Sequence, residues 1–394
     1  MHKTTLRSLL AATLMIFGYG EVLAVDYSII DLGSLGGSTT STRPADINNS
    51  GYVTGYSQTS DGKAYSFIWN PETRSMTTPG PIGAGYTTDS TWNWGYSINN
   101  SGTIAGYNKN YGLDAAFTYS AENGVTTIPI RKDGIGGYYW QDGRAYDIND
   151  SGVVVGVVKN GGYYNTSFIY NPDGTFTTFK KPEMGMTEAM AINNSGVIAG
   201  YSWTNYEMVK AWIYQDGAFT ELGALGTFAD TWLPTYASDI NESNMVTGTS
   251  QRWYDPTPDY EYDYNSARTT HAFVWTADGG MIDLGSFAGD GGLSYGTDIN
   301  SRGQVIGNSN TLDWQWHAFL WENGIMLDLN ELLPENSGWL LQEALAINDR
   351  GEIVGVGTID GVQHAYLLTP VPEPSTLLLL SAGIVGAFFI RRKR

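Results

Sequence analysis

The ten residues Asp46-Ile47-Asn48-Asn49-Ser50-Gly51-Tyr52-Val53-Thr54-Gly55 form a phrase that recurs along the chain with small variations. Each copy reads Ile-Asn, two mostly polar residues, Gly or Asn, any residue, Val or Ile, any residue, Gly. The seven motif isoleucines are Ile47, Ile98, Ile148, Ile192, Ile240, Ile299 and Ile347. They lie 51, 50, 44, 48, 59 and 48 residues apart. This spacing is typical of an array of supersecondary units, so the fold follows from one unit and its copy number.

Each copy of the phrase predicts a strand, a tight turn and a second strand. A type I turn favours Asn at its first position and Gly at its fourth, which Asn48 and Gly51 occupy. In the fifth copy Asn244 replaces this Gly, and Asn also tolerates the left-handed conformation. A second Gly inside the second strand predicts a bulge or a close backbone approach. These strand glycines are Gly55, Gly106, Gly156, Gly200, Gly248, Gly307 and Gly355.

A third and a fourth strand follow in the repeat. The third carries large side chains two residues apart, which places both on one face of a sheet. These pairs are Phe67/Trp69, Phe117/Tyr119, Phe168/Tyr170, Trp212/Tyr214, Phe273/Trp275, Phe319/Trp321 and Tyr366/Leu368. The fourth strand follows turns such as Asn171-Pro172-Asp173-Gly174, and in several copies it ends in Leu-Gly. Four short antiparallel strands repeated seven times predict an all-β, seven-bladed β-propeller.

The last repeat lacks a fourth strand of its own, because a different kind of sequence begins after Leu368. Residues 26–36 match the fourth-strand phrase and precede the first repeat. We expect this N-terminal strand to complete the last blade, which closes the ring and removes its free edges. An open β-array is the alternative fold.

The composition excludes several classes of function. The 394 residues contain no cysteine, so a disulfide framework, a thiol nucleophile and a cysteine metal site are excluded. The net charge of −19 argues against nucleic acid as a partner, because neutralising phosphates requires clusters of Lys and Arg. The 49 glycines and the 13% aromatic content suit many short strands joined by turns.

The two ends of the chain differ in character from the repeats. Residues 1–24 combine a basic start, an apolar run and a small-residue cleavage site, which predicts a secretory signal peptide. Residues 370–394 contain Pro372-Glu373-Pro374, an apolar segment at 377–390 and a basic tail. This predicts three parts: a signal peptide at 1–24, a repeat β-propeller domain at 25–369 and a C-terminal signal at 370–394. Removing both ends leaves a body more acidic than the whole chain.

The C-terminal signal closely resembles the PEP-CTERM sorting signal of Gram-negative bacteria that build extracellular polysaccharide. The resemblance implies export across the inner membrane, transient anchoring there through the C-terminal segment, and processing by an exosortase as partner. The mature protein is then expected at the cell surface or outside the cell. An ordinary C-terminal membrane anchor is the alternative.

The later repeats contain the tripeptides His271-Ala272-Phe273, His317-Ala318-Phe319 and His364-Ala365-Tyr366. With the repeated phrase, they resemble the HAF family of extracellular repeats over residues 26–369. This resemblance implies location and repeat architecture and no biochemical activity. Because the three histidines share one repeat position, successive blades would separate them, so we expect hydrogen bonding or packing rather than a shared metal site.

Catalytic and metal signatures are weak. The sequence has no nucleophile elbow, no zinc-protease helix motif and no phosphate-binding glycine loop. The segments starting at Asp46 and Asp147 imitate the first half of a calcium loop, but the closing carboxylate is missing and Ala191 and Ala346 occupy the first position elsewhere. Turn formation explains the segments without a metal, and calcium remains the alternative.

The candidate binding residues lie where the copies disagree. The residue four before each motif isoleucine is expected to line the axial mouth on the face of the long loops, and several loop aromatics join that face. The mouth positions are Arg43, Trp94, Arg144, Glu188, Tyr236, Tyr295 and Glu343. The further candidates are Trp253, Tyr254, Trp314 and Trp316. Such groups combine stacking with directional hydrogen bonds, although a salt-bridged structural plug is an equal alternative.

Together these features predict a non-enzymatic protein that binds extracellular polysaccharide or matrix components. A polysaccharide lyase or hydrolase using Arg144 and Glu188 is the first alternative, and it is weakened because carboxylate spacing cannot be read from sequence. A purely structural protein-interaction module is the second alternative.

Overall fold

The computed structural model describes residues 26–36, 41–80, 92–110, 113–130, 142–160, 164–203, 209–226, 233–254 and 267–371. The predicted signal peptide, the Pro372-Glu373-Pro374 motif and the apolar segment 377–390 lie outside these residues. The described part is almost entirely β, with one 3₁₀ turn at Leu329–Leu332. Within it, no helix has the length and apolarity that a membrane crossing requires.

The strands fall into units of four antiparallel strands, each beginning with one copy of the repeated phrase. The first three units contain β2 (Arg43–Ile47), β3 (Val53–Gln58), β4 (Ala64–Asn70) and β5 (Ser75–Thr77); β6 (Trp92–Ile98), β7 (Ile104–Asn110), β8 (Leu113–Ser120) and β9 (Gly124–Thr127); and β10 (Asp142–Ile148), β11 (Val154–Asn160), β12 (Tyr164–Tyr170) and β13 (Phe176–Phe179). The next three contain β14 (Met186–Ile192), β15 (Ile198–Trp203), β16 (Val209–Gln215) and β17 (Ala218–Glu221); β18 (Thr235–Ile240), β19 (Val246–Tyr254), β20 (Ala267–Thr276) and β21 (Gly280–Asp283); and β22 (Ser294–Ile299), β23 (Val305–Asn310), β24 (Trp316–Glu322) and β25 (Ile325–Asp328). The last contains β26 (Trp339–Ile347), β27 (Ile353–Ile359), β28 (Val362–Pro370) and β1 (Tyr27–Asp31).

The N-terminal strand pairs with the C-terminal strand. β1 lies antiparallel to β28 from Tyr27 opposite Pro370 to Asp31 opposite Tyr366. The backbone N–H of Val371 also donates to the carbonyl of Asp26 at 2.8 Å. The first strand of each unit contacts the first strand of the next, and β26 contacts β2. A single parallel residue pair, Ala64 with Trp92, joins the first two units into one larger sheet.

The turns of the repeated phrase have the predicted form. In the first copy the N–H of Gly51 donates to the carbonyl of Asn48 at 2.9 Å, and Gly51 has a φ of +84°. Asn244 adopts a φ of +59° in the copy where it replaces Gly. The prediction that Asn is tolerated there is confirmed.

The motif asparagine also joins neighbouring units, which the sequence did not predict. Its side-chain oxygen accepts backbone N–H groups within its own turn, and its amide donates to the carbonyl of the same Asn in the next unit at 2.9–3.1 Å. The donors and acceptors run in the order Asn48, Asn99, Asn149, Asn193, Asn241, Asn300, Asn348 and back to Asn48. This circle of buried hydrogen bonds involves every copy of the phrase.

The apolar core lies between successive units rather than inside any one of them. Phe67 and Trp69 of the first unit are almost fully buried, and they belong to one cluster with Val354 and Leu367 of the last unit. Corresponding clusters join the other neighbours. Because burial of apolar area is the main stabilising term in folding, a unit separated from its neighbours would lose most of its core.

Candidate functional site

The seven mouth positions lie on the seven first strands, one on each. In every unit the register of the first strand shifts two residues before the motif isoleucine, which is a β-bulge. The strand glycine lies opposite this bulge. In the third unit a Cβ on Gly156 would lie 2.0 Å from the carbonyl oxygen of the mouth residue Arg144. The predicted close approach is confirmed, and the glycine fixes the backbone that carries the mouth side chain.

The charged mouth residues are held by partners from adjacent units. Arg43 and Glu343, from the first and last units, form an ion pair at 2.6 Å. Arg144 donates from Nε to Asp114 at 2.5 Å, and its guanidinium lies 4.6 Å from the ring centre of Tyr107. The charges are therefore fixed in place, as both the binding interpretation and the plug interpretation require.

Glu188 is the most buried of the charged mouth residues. Its carboxylate accepts a hydrogen bond from the amide of Asn165, in the preceding unit, and another from the hydroxyl of Tyr201 at 3.0 Å. Burial, together with the charge of Glu188, raises the pKa of Tyr201, so this hydroxyl stays a donor. Arg144 and Glu188 are each hydrogen-bonded to other side chains rather than to each other. A lyase or hydrolase that acts through this pair stays a prediction.

Aromatic rings lie next to one another around the mouth position Trp94. Trp94 lies 4.8 Å from Tyr107, and Tyr107 stacks on Tyr96 at 5.6 Å. Tyr96 in turn meets the edge of Tyr146, in the next unit, at 5.6 Å. The pairing of Trp94 opposite Tyr107 in the β6–β7 register places both rings on one face of the sheet. The sequence indicated Trp94, but Tyr96, Tyr107 and Tyr146 were missed because nothing in the sequence assigns them to this end.

Further ring contacts involve three more units. Tyr56 of the first unit meets Trp94 at 6.0 Å, and Tyr201 of the fourth meets Tyr236 of the fifth at 5.1 Å. Tyr236 keeps 40% of its surface exposed, so its ring faces solvent as well as its neighbours. The rings and charges together offer apolar faces beside fixed hydrogen-bonding groups, which is the chemistry that sugar rings require.

The remaining candidates separate into two groups. In the sixth unit Tyr295 contacts Trp316 at 5.7 Å, and Trp314 lies in the turn before β24 with 68% of its surface exposed. Trp253 and Tyr254 were predicted in a long loop, but they are the last two residues of β19, where they pair with Arg268 and Ala267. Their side chains lie outside the description, so the structure does not connect them with the mouth.

The opposite end of the first strands forms an open polar cavity of about 240 Å³. Two carboxylates of the residue before the motif isoleucine line it, those of Asp46 and Asp147. Asp239 and Asp298 hold the same repeat position and lie close enough for their charges to act on this group. Burial raises the pKa of Asp46 to about 6 and that of Asp147 to about 7. Burial and the nearby charge of Asp239 raise the pKa of Asp298 well above its ordinary value.

These carboxylates do not form the calcium loop considered from sequence. Asp46 accepts the backbone N–H of Ile47 through one oxygen and that of Ile98 in the next unit through the other, at 2.7 Å each. The side-chain oxygen of Asn48 is likewise occupied by N–H groups of its turn. Among the described residues, no three His, Asp or Glu side chains are grouped closely enough to hold one metal ion.

The three histidines of the repeats each bind one carboxylate of the neighbouring fourth strand. The Nδ1 atoms of His271, His317 and His364 lie 2.6–2.8 Å from Asp283, Asp328 and Asp31 respectively. The hydrogen-bonding role expected for them is confirmed. The pair of His364 with Asp31 joins β28 to β1.

Comparison with family models gives two matches. A family of proteins of unknown function, DUF3466, matches residues 183–366, and the PEP-CTERM protein-sorting motif matches residues 370–394. The motif indicates an exported protein sorted to the cell surface or extracellular space, and it implies exosortase processing and a C-terminal membrane anchor. The resemblance to HAF-type repeats has no counterpart among these matches and stays a prediction. No curated protein matches the chain by sequence.

Solved structures with similar folds share little sequence with this chain. A puromycin hydrolase matches 82% of it with a TM-score of 0.50 at 13% identity. A puromycin-hydrolyzing peptidase of Mycobacterium tuberculosis matches 89% with 0.51 at 10% identity, and a prolyl endopeptidase matches 94% with 0.52 at 11% identity. The matches cover 51%, 55% and 55% of those chains, so this protein spans about half their length. These likenesses support a propeller-like all-β fold and nothing about activity.

Proposed function

We propose that this protein is an exported seven-bladed β-propeller, closed by β1, whose axial mouth binds extracellular polysaccharide. Three observations support the closed ring: the pairing of β1 with β28, the contact between β26 and β2, and the circle of asparagine hydrogen bonds. The sorting motif supports the location, because it directs a protein to the surface on which such polymers lie.

The observation that carries the binding proposal is the array of aromatic rings interleaved with fixed charges around the mouth. A pyranose ring has an apolar face of C–H groups and an edge of hydroxyls. Tyr236 offers exposed ring surface and Trp94 is half-buried, while Arg144 and Glu188 are already positioned by Asp114 and Tyr201. A prepositioned site of this kind loses less side-chain entropy when it binds.

The net charge of the chain restricts the class of polysaccharide that it can bind. With a net charge of −19, the protein repels polyanions unless divalent cations intervene. The mouth contains as many acidic as basic positions, Arg43 and Arg144 against Glu188 and Glu343. We therefore assign neutral polysaccharides as the ligand class.

We expect Trp94→Ala and Trp92→Ala each to weaken binding of the preferred neutral polysaccharide at least tenfold, because each removes a ring of the mouth array. Trp92 is 43% exposed, so its replacement leaves the core intact. The ligand is first selected on a glycan array, and the affinities are then measured by isothermal titration calorimetry on residues 25–370.

The matched control is Ile282→Ala, which removes an equally exposed apolar side chain from the outer strand β21. It is expected to leave the affinity unchanged. The proposal is wrong if the array shows no glycan binding, or if the tryptophan variants bind as tightly as the control.

A further inference from the structure

Two hairpins of this protein have the same turn geometry but differ in the residue whose backbone is most constrained. Thr59 to Lys63 join β3 to β4, and Thr311 to Gln315 join β23 to β24. In both, the N–H of the first residue donates to the carbonyl of the fifth, at 2.8 and 2.9 Å, and the N–H of the fourth donates back, at 2.9 and 3.0 Å. In both, the threonine hydroxyl donates to the Asp two residues later at 2.5 Å.

The fourth residue of this turn adopts a left-handed conformation. Gly62 occupies it in the first hairpin with a φ of +81°, and Trp314 occupies it in the other with a φ of +62°. A side chain with a Cβ is strained in this region, and a bulky one is seldom found there. The turn needs no side chain at this position, because the first hairpin forms the same turn with glycine.

The substituted hairpin also exposes apolar surface that its counterpart lacks. Trp314 has 68% of its surface exposed and Leu312 has 81%, where the first hairpin has Gly62 and Ser60. Neither side chain contributes to the buried core. A strained backbone and an exposed aromatic side chain both cost stability, and neither is offset by packing in the core. Residues of this kind are typical of binding positions.

The hairpin lies at the mouth end of its unit. Trp316 begins β24 opposite Asn310, and its ring contacts the mouth residue Tyr295 at 5.7 Å. Tyr295, Trp316 and Trp314 thus follow one another from the first strand of the unit to the tip of its hairpin. Aromatic side chains in this order suit a ligand that extends outward from the mouth.

Resting on the proposed function, we infer that the β23–β24 hairpin is an outer subsite that holds an extended, neutral polysaccharide chain through Trp314 and Leu312. A stable protein interface needs about 800 Å² from each partner, whereas this tip offers two apolar side chains flanked by Thr311, Asp313 and Gln315. The hydrogen bond from Thr311 lowers the pKa of Asp313, so the tip stays negatively charged and disfavours polyanions.

The test grafts the first hairpin onto the second, as the triple variant Leu312→Ser/Trp314→Gly/Gln315→Lys in residues 25–370. Affinities for neutral glucan oligosaccharides of increasing length are measured by calorimetry. In the unchanged protein the affinity is expected to rise with length beyond the sugars that fill the mouth. In the graft this rise disappears, and long chains bind about tenfold more weakly while short ones are unaffected.

A thermal unfolding measurement distinguishes a binding role from a structural one. The graft removes the strained tryptophan, so its melting temperature is expected to be unchanged or higher, whereas a lower value would make Trp314 a structural residue and overturn the inference. Trp314→Asn provides a second variant, since Asn adopts a positive φ at Asn244 and Asn323 of this chain. It is expected to lose the same length dependence.

The outcomes separate this inference from the proposed function. If Trp94→Ala weakens binding but the graft keeps the length dependence, the hairpin subsite is wrong and the mouth proposal stands. If no neutral glucan or arrayed glycan binds the unchanged protein, both are wrong. If the graft alters self-association in sedimentation without altering glycan affinity, the tip contacts a second copy of the chain and the inference is overturned.

Discussion

Replacing Gly156 by alanine is expected to destabilise the protein by about 3 kcal/mol or more, although its backbone conformation is one that alanine can adopt. The added Cβ would lie 2.0 Å from the carbonyl oxygen of Arg144 and 3.0 Å from the Cα of Ala145. Both are backbone atoms of the bulged first strand, so no side-chain rotation relieves the overlap. The β10–β11 pair would have to separate, which breaks its hydrogen bonds and moves the mouth residue.

The measurement is chemical denaturation of Gly156→Ala, with Gly174→Ala as the matched control. Gly174 has a φ of +85° in an exposed turn, and a Cβ there meets no atom within 4 Å. Its replacement costs roughly 1–2 kcal/mol from backbone strain alone. The steric account is contradicted if the control loses as much stability as Gly156→Ala, because conformational preference would then dominate at both glycines.

Stability is expected to fall by about 2–4 kcal/mol between pH 4 and pH 8, because of the carboxylates around the axial cavity. The pKa values of Asp46 and Asp147, about 6 and about 7, exceed that of an unfolded Asp. The folded state therefore holds protons that the unfolded state releases. This stabilising contribution is complete below pH 4 and is lost as the pH rises through 6 and 7. Asp46 and Asp147 act on each other, so their titrations are coupled and we place the effect below the sum of the separate shifts.

The variant that isolates this effect is Asp239→Ala. The N–H of Ile299 donates to Asp239 at 3.1 Å and to Asp298 at 2.6 Å, so it keeps an acceptor when Asp239 is removed. Ala191 and Ala346 show that alanine fits this repeat position. Because a like charge beside Asp298 disappears, melting temperatures are expected to depend less on pH, and stability at pH 8 is expected to rise.

The matched control for net charge is Asp278→Ala, which removes one exposed carboxylate from a turn outside the cavity. It is expected to leave the pH profile of the melting temperature unchanged. Equal flattening in both variants would assign the pH dependence to the overall negative charge of the chain rather than to the cavity.

Much of one repeat unit could be predicted because its determinants are local. The Asn-to-Gly turn, the alternation of Phe67 and Trp69, and the fourth-strand phrase at residues 26–36 act within a few residues of sequence. The strand glycine was correctly linked to a close approach, but the bulge was found on the opposite strand. A single strand does not reveal what its partner does, so this detail required the pairing of β10 with β11.

The candidate site was predicted only in part. The fourth residue before each isoleucine lies on a first strand, and its place in an axial mouth stays a prediction. The partners of Arg144 and Glu188 could not be named from the sequence. Asp114 lies 30 residues before Arg144, and Asn165 lies 23 residues before Glu188, each in the preceding unit. Contacts of this kind depend on the rotation between neighbouring sheets, which no local pattern specifies.

The sequence by itself determined the unit, its seven copies and the positions at which the copies differ, since turn chemistry and side-chain alternation are short-range. Only the tertiary structure decided what the first strands bring together: a circle of asparagine amides, the carboxylates of Asp46 and Asp147 beside a cavity at one end, and paired charges and rings at the other. These groups come from segments about 50 residues apart, and from Asn48 and Asn348 across 300 residues. They meet only when the first strands lie side by side, so their chemistry belongs to the assembly and not to the repeat.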